Sequence, residues 1–457
     1  MTTDRLKNKK IAVLGAGVEG LALITFLKKL TDSITILIER PEEEIEDRTL
    51  QEIKMLDLPV IYGSDAFENL EEYEVIFRSP GIKRRQEVLD RAASSGVIIS
   101  SQTQLFFDLC PCPIIGVTGT KGKGTTSSLI YEMLQTQGFD TYLGGNIGTP
   151  PISFLERLTP ESRVVLEMSS FQLQDLTVSP HIAVMLMTTS EHLDYHADVY
   201  EYIDAKRNIF RFQKTTDFAI MNKDYPASNE SDLETDAKVY KVSRDQSVDN
   251  GCFVRDDQII LKVDDSEQMI AEVKDVLLPG RHNLENVCAA IMAAVLAGVT
   301  TQNIAHVLKT FKGLEHRLEL AATIHGIRFY DDSFSTTPET AIAAIEAFSD
   351  PEILLLGGSS KNSDFTELGK VISGAKNIKA IIKIGQEWER IKESIQGKLA
   401  HVQIIEDCDT MQDAVQKAAS MAENGDVILL TPACASFDKY KNYKDRGQQF
   451  KQAVRDL

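Results

Sequence analysis

Two glycine-rich turns, each entered from a short apolar run and left through a helical pattern, constrain this 457-residue chain more than any other feature. The first is "VLGAGVEG" at residues 13 to 20, and the second is "GVTGTKGKGTT" at residues 116 to 126. A strand, a glycine turn and a helix together aim unpaired backbone N–H groups and the positive end of a helix dipole at an anion. Each such unit needs its own parallel sheet to hold it. A chain with two of them, a full domain's length apart, is expected to carry separate α/β domains.

The rest of the chain agrees and adds a third. Residues 1 to 101 alternate strand and helix through "KIAVLGAG", "EGLALITFLKKL", "SITILIE" and "YEVIFRSPG". Residues 102 to 313 begin again with "CPIIGVTG" and the helical "TTSSLIYEMLQTQG", add the strands "SRVVLEMSS" and "HIAVMLMTT", and close on the helical "RHNLENVCAAIMAAVLAG". The more polar stretch from 225 to 275, with alternating runs such as "QIILKV", reads as a small β insertion. Residues 314 to 457 supply "IRFYDDS", "EILLLGG", "AIIKIG" and "DVILLTP", apolar runs that again end in glycine or polar groups. Strands alternating with helices predict parallel sheets covered by helices, with ligands at the carboxyl ends of the strands.

Charge and composition exclude several classes. A net charge of −19 argues against a nucleic-acid binder, so an anionic ligand must be held by local lysine, arginine, backbone amides or metal. No apolar run approaches the roughly 20 residues of a membrane helix, and "MTTDRLKNKKIAVLGAG" carries no signal-peptide pattern. The six cysteines are scattered, and Cys110 with Cys112 has no matching pair that would complete a zinc site. A cytoplasmic protein with reduced thiols, and with neither membrane nor nucleic acid as partner, is expected.

The loops carry the chemistry. Gly15, Gly17 and Gly20 form G-x-G-x-x-G, with Glu39 ending the next strand near the place of a ribose-binding acid. That pattern fits a nicotinamide dinucleotide, another nucleotide or diphosphate, or a turn with no ligand. In the second loop Gly119, Thr120, Lys121, Gly122, Lys123, Gly124, Thr125 and Thr126 can surround a triphosphate with backbone amides, and Lys123 adds a compact positive charge. Gly124 stands where a standard P-loop has its Mg²⁺-binding hydroxyl, which makes Thr125 the candidate. Glu167, at the end of "VVLEMSS", either completes a Mg²⁺ shell or caps a turn. In "SEHLDYH", His192, Asp194 and His196 serve a metal, a substrate or the local packing. Lys206 in "YIDAKRNIF" would by itself be read as a surface lysine. "GRHNLEN", "EHR" and "YDDS" offer amide, guanidinium and carboxylate groups suited to purine, ribose and phosphate.

Together with "GGNIGTP", "LEMSSFQL", "GLEHRLE", "LLLGGSSKNSDF" and "TPACASFDKYKNYKDRG", these stretches resemble the Mur ligase family nearly end to end. The resemblance implies an N-terminal Rossmann-like UDP-binding domain, a central P-loop ATPase-type parallel sheet and a C-terminal Rossmann-like domain that brings the amino acid. It implies an ADP-forming amide ligase of peptidoglycan precursor synthesis, using ATP and two Mg²⁺ ions and acting as a monomer. The expected reaction adds D-glutamate to UDP-N-acetylmuramoyl-L-alanine through an acyl phosphate.

By the same resemblance, Lys123, His192 and Lys206 are catalytic. Thr125 and Glu167 hold one Mg²⁺, and His192 with a carbamylated Lys206 holds the other. Asn283 and Asn286 face the nucleotide, with Arg317 and Asp332 reaching it from the third domain. Gly17, Val18, Arg40, Ser79, Pro80 and Gly81 cradle UDP, while Asn146, Ser169 and Gln172 contact the diphosphate or muramoyl part. Thr336, Lys361, Ser436, Phe437 and Tyr443 take glutamate.

Three departures set the alternatives. Gly124 is shared with folylpolyglutamate synthetase, which lacks a first domain of this length. "TTSEH" has no asparagine where the family commonly has one. Phe334 stands where D-glutamate-adding members have lysine, and "DSFSTTP" is also similar to an L-glutamate-adding relative, whereas Lys361 supplies the cation expected for a glutamate γ-carboxylate. D- and L-glutamate therefore stay open at this level.

Overall fold

Apolar runs of four or five residues become strands buried along their whole length at Ile11–Leu14, Ile114–Thr118, Glu352–Leu356 and Val427–Leu430. Such burial is the mark of parallel strands covered by helices on both faces. The structure is a computed structural model that describes residues 1–84, 87–146, 148–189, 195–360, 363–395 and 402–457. These residues group into two compact units, 1–273 with 285–307, and 274–284 with 308–457.

The first unit holds two sheets. A five-stranded parallel sheet runs in the order Val60–Tyr62, Ile34–Ile38, Ile11–Leu14, Val75–Arg78, Ile98–Ser100. The chain moves outward from Ile11–Leu14 on one side, then returns to pair Val75–Arg78 on its other side. The turns that follow these two neighbours therefore diverge, which opens a crevice at their carboxyl ends. Gly15 makes the first turn with φ +88°, and a Cβ on Gly20 would lie 2.3 Å from the Gly15 carbonyl oxygen, so the strand and its helix Val18–Leu27 meet too closely for any side chain there.

The second sheet has nine strands, in the order Ser266–Glu272, Gln258–Val263, Gly251–Arg255, Lys238–Ser243, Phe218–Asn222, Ile182–Met185, Ile114–Thr118, Arg163–Glu167, Thr141–Gly145. All neighbours pair in parallel except the last two ladders at one edge, which are antiparallel hairpins. The stretch read from sequence as a β insertion is thus corrected: it continues the same sheet. Part of its polar character comes from the edge strand Ser266–Glu272, whose first four residues are exposed.

The two sheets share an apolar core in which Phe106 meets Phe154 edge-on at 5.7 Å between ring centres, and Tyr142 stacks on Phe154 at 5.3 Å. One buried cation crosses between them. Arg78, the last residue of its strand and 2% exposed, pairs with Asp175, donates to the Ile82 carbonyl and reaches the Tyr195 hydroxyl at 3.0 Å. A guanidinium this buried costs several kcal/mol unless its donors are satisfied, so its contacts tie the end of the first sheet to the second.

The second unit holds a six-stranded sheet, in the order Glu319–Ile324, Ile327–Asp331, Val427–Leu430, Glu352–Leu356, Ile378–Lys383, Gln403–Ile405. Only its first ladder, a hairpin, is antiparallel. Among the described residues no helix is long and apolar enough to cross a membrane.

Glu352 opens a central strand of this sheet fully buried, accepts one hydrogen bond from Asn377 Nδ2 at 2.8 Å, and leaves its other oxygen without one among the described residues. Burial pushes its pKa up to about 8. A carboxyl whose folded-state value lies above its unfolded value near about 4.3 holds its proton more tightly when folded. Its stabilising contribution is complete below the unfolded value and is lost as pH rises towards about 8. Glu352→Gln is expected to raise stability at pH 8 by about 1–3 kcal/mol and to flatten the decline between pH 5 and 8, measured by urea unfolding at both pH values.

Candidate functional site

The crevice of the first sheet has a volume of about 690 Å³ and is lined by Gly17, Val18, Arg40, Ser79, Pro80 and Gly81 together with Gly15, Glu39 and Glu19. All six residues expected to cradle UDP therefore come together, and Glu39 joins them. Val18 points a 75% exposed side chain from the first turn of its helix. Glu19 was not foreseen. Its Oε1 accepts from Gln172 Nε2 at 2.6 Å, and burial raises its pKa to about 7 against the opposing effect of that bond. The signal was present, since a carboxylate between Gly17 and Gly20, at a helix N-terminus suited to phosphate, is an unusual choice.

Gln172 belongs to a capping box: Ser169 Oγ accepts from the Gln172 backbone at 3.3 Å, and Gln172 Oε1 accepts from the Ser169 backbone at 2.9 Å. Ser169 and Gln172 are thereby locked to each other, and through Glu19 to the crevice. Asn146 lies close by. Its backbone N–H donates to the Glu167 carbonyl at 2.8 Å and its Nδ2 to Glu167 Oε1 at 2.7 Å. The preceding Gly145 has φ +104°, and a Cβ there would sit 2.2 Å from the Glu167 carbonyl oxygen, so only glycine lets the two strand ends close to this distance.

The phosphate loop follows the strand Ile114–Thr118 and opens the helix Lys123–Gln137. Gly119 and Gly122 take φ +153° and +87°, and a Cβ on Gly122 would come within 2.0 Å of Asn286 Oδ1, which places Asn286 against the loop. Thr120 Oγ1 bonds the Tyr202 hydroxyl and accepts from the Thr189 backbone, both at 3.0 Å. Lys121 is exposed, whereas Gly124, Thr125 and Thr126 are buried. Glu167 is buried at the end of a strand paired directly beside the loop's own strand.

Two ammonium groups converge on one carbonyl. Lys123 Nζ and Lys206 Nζ each donate to Gly119 O at 2.9 Å. Lys206, a surface lysine when taken alone and a catalytic metal ligand by the family resemblance, is 1% exposed on the helix Val199–Arg211 and packs over the Tyr202 ring at 4.6 Å. It buries because the apolar face of that helix turns toward the sheet and carries the lysine with it. His196 is also buried and shares a 3.0 Å hydrogen bond with Ser170 Oγ while stacking on Phe171, which is its packing alternative. His192 and Asp194 lie outside the described residues, as does Lys361.

In the second unit Asn283 donates from Nδ2 to the Pro279 carbonyl at 2.7 Å. Arg317 sits between two non-glycine residues in the left-handed region, His316 at φ 65° and Leu318 at φ 43°. Such a turn stands only when its surroundings hold it. Here the His316 backbone donates to Glu319 at 2.8 Å, His316 Nδ1 pairs with Asp331 at 2.7 Å, and the Leu318 backbone donates to Asp332 Oδ1 at 3.0 Å. The Arg317 guanidinium lies 4.4 Å over the Phe334 ring, and Tyr443 meets Phe334 edge-on at 5.2 Å. Asp332 also accepts from Ser335 and from Thr431 at 3.3 Å, and its burial raises its pKa to about 7.

Ser436 is buried beside the exposed Phe437, Thr336 is half-buried, and Tyr443 starts the last helix. Arg446 was missed. Fully buried, it donates to the carbonyls of Ser333, Cys434 and Ala435 at 2.9 to 3.1 Å and so binds two strand ends together. Its motif "KDRG" was legible, but a lone arginine among surface-type residues gave no reason to expect a buried role.

Comparison with known proteins accounts for the arrangement. Residues 9–101 match the family described as Mur ligase MurD-like, N-terminal domain. Residues 117–294 match the Mur ligase middle domain, and 316–434 match the Mur ligase glutamate ligase domain. A UDP-N-acetylmuramoylalanine--D-glutamate ligase of Acetivibrio thermocellus is 38% identical over 459 residues, covering 99% of this chain and 97% of that protein. One from Ruminiclostridium cellulolyticum is 36% identical over 457 residues, with the same coverage. Among solved structures, a UDP-N-acetylmuramoylalanyl-D-glutamyl-2,6-diaminopimelate--D-alanyl-D-alanyl ligase from Acinetobacter baumannii aligns with a TM-score of 0.60 at 13% identity, over 97% of this chain and 93% of that one, and so shares the fold. With a glycine-lined crevice in one sheet, a phosphate loop in the next and relatives at this identity along its whole length, the chain belongs to the Mur ligase family.

Proposed function

We propose that this chain is an ADP-forming ligase that joins D-glutamate to UDP-N-acetylmuramoyl-L-alanine in the cytoplasm, acting as a monomer. The observation that carries the reading is the end-to-end identity to D-glutamate ligases in a chain that pairs a UDP-sized crevice with a phosphate loop. The domains would divide at 1–101, 102–313 and 314–457, giving the uridylyl group, ATP and glutamate one domain each.

The chemistry asks for a carboxylate made electrophilic and an amine delivered to it. The alanine carboxylate attacks the γ-phosphorus of ATP, ADP leaves, and an acyl phosphate forms. The glutamate amine then attacks the acyl carbon, and phosphate leaves from the tetrahedral intermediate. Lys123, with the amides of Gly119, Thr120, Lys121, Gly122, Gly124, Thr125 and Thr126, would hold the β/γ-phosphates, where phosphoryl transfer needs its charge neutralised. Asn283, Asn286, Arg317 and Asp332 would hold the nucleotide. Asn146, Ser169 and Gln172 would orient the muramoyl end, and Gly17, Val18, Arg40, Ser79, Pro80 and Gly81 the uridine diphosphate. Thr336, Lys361, Ser436, Phe437 and Tyr443 would bind glutamate.

The donors near the loop fit Mg²⁺. Glu167 and Thr125 are hard oxygen ligands, which that ion prefers. An ammonium at Lys206 would repel a second ion, whereas its carbamate, with His192, would bind one. Bound there, Mg²⁺ would neutralise charge on the transferring phosphoryl group.

Phosphate release with UDP-N-acetylmuramoyl-L-alanine and ATP is expected with D-glutamate and not with L-glutamate. Equal rates with both enantiomers would move the assignment to the L-glutamate-adding relative, and release only with a folate would move it to folylpolyglutamate synthetase. Lys206→Ala is expected to lower kcat by about 10²-fold or more, the scale of losing one preorganised electrostatic group. Added bicarbonate would not restore it, because no amine is left to carbamylate; near-normal turnover in this variant would remove the carbamate from the mechanism.

A further inference from the structure

We propose that Cys110 and Cys112 form a reversible modification site, closing to an intrachain disulfide by exchange with a low-molecular-weight disulfide. Cys110 caps the helix Gln102–Leu109, Cys112 follows two residues later, and each precedes a proline. Pro111 and Pro113 fix φ in this connector, and the Cys110 backbone is extended, as a residue before proline prefers. The pair is therefore held together rather than sampling many separations.

The two Sγ atoms lie 3.6 Å apart, and Cys110 Sγ is 3.5 Å from the Cys112 carbonyl oxygen. A disulfide bond of about 2.05 Å needs a further approach of about 1.5 Å, within reach of side-chain rotation. Both cysteines are half-buried beside exposed prolines, whereas Cys252, Cys288, Cys408 and Cys434 are buried. A small disulfide in solvent can reach the first two, whereas Cys252, Cys288 and Cys434 are at most 3% exposed.

The hydrogen bond between the thiols also divides their roles. Donation from Cys112 holds the Cys110 thiol below its ordinary range, and the same bond pushes the Cys112 thiol above it. The thiolate is the attacking form, so Cys110 is the entry point and Cys112 the resolving thiol. In the first exchange the Cys110 thiolate attacks one sulfur of the small disulfide, and one small thiolate leaves. Cys112 then loses its proton and attacks Cys110 Sγ, and the second small thiolate leaves. The two protein thiols are oxidised, one small disulfide is reduced to two thiols, and those thiols take up the two protons.

The site lies on the connector that leads into the strand Ile114–Thr118, whose end carries the phosphate loop. Closure would tie the approach to that loop from below without touching a ligand.

The test equilibrates the full chain with glutathione disulfide in excess over glutathione, quenches with N-ethylmaleimide and maps the peptides by mass spectrometry. The peptide containing both cysteines is expected to lose two hydrogens, with maleimide labelling of the pair falling by about tenfold or more and returning after dithiothreitol. Cys110→Ser and Cys112→Ser should each stop at a glutathione adduct on the cysteine that is left. Full labelling of both wild-type thiols, a persistent glutathione adduct on either, or earlier oxidation of Cys252 and Cys288 would each overturn the proposal.

Discussion

The carbonyl oxygen of Gly119 receives two ammonium groups, Lys123 and Lys206, each at 2.9 Å, so the two charges lie within twice that distance of each other. At such a separation, and at the effective dielectric of a protein interior, their repulsion is about 3 kcal/mol. A fold accepts that cost only where something else relieves it. A polyphosphate in the loop would do so by answering both charges. Conversion of the Lys206 amine to an anionic carbamate would do so by turning repulsion into attraction. The loop thus gathers positive charge where a phosphate would bind, with the Glu167 carboxylate at the end of the neighbouring strand.

The first sheet is not an appendage to this arrangement. Arg78 leaves its strand to bond Asp175, and Glu19 leaves the glycine turn to accept from Gln172. One contact is a buried ion pair that anchors, the other a single hydrogen bond beside the crevice. Gln172 is in turn fixed to Ser169 by reciprocal bonds, so Glu19 in the crevice is joined through Gln172 to a capping box of the central sheet. Rigid short-range linkages of this kind suit a reaction in which one substrate end must be presented to a phosphoryl group at fixed distance.

The strand ends were legible from the chain because parallel strands buried on both faces must be apolar and their ligand-facing ends must not be. That reasoning pointed to the glycine crevice, the phosphate loop and Glu167 without any contact information, while Asp332 was singled out only by resemblance. Lys206 was legible only by resemblance: Tyr202, Ile209 and Phe210 at helical spacing put it on the covered face, but its role lies in a bond to the distant Gly119 carbonyl. Glu19 and Arg446 escaped for the same reason: their roles lie in long-range bonds to Gln172 and to the carbonyls after distant strands. The stretch from 225 to 275 misled because an edge strand and an independent insertion share one polar alternation. Only pairing, here of Lys238–Ser243 with Phe218–Asn222, separates them.

The way that sheet ends has its own consequence. A nine-stranded surface must stop somewhere, and any open edge offers a ladder of unpaired amides to a passing chain. Two hairpins reverse the direction, and the outermost strand then shows solvent a serine, a glutamate, a glutamine and a methionine before it sinks into the fold. On a polypeptide that already carries nineteen surplus negative charges, a second copy approaching this border meets like charge and a short polar fringe. Three of those four exposed side chains are polar, which makes this one border of the sheet a poor template for a further strand.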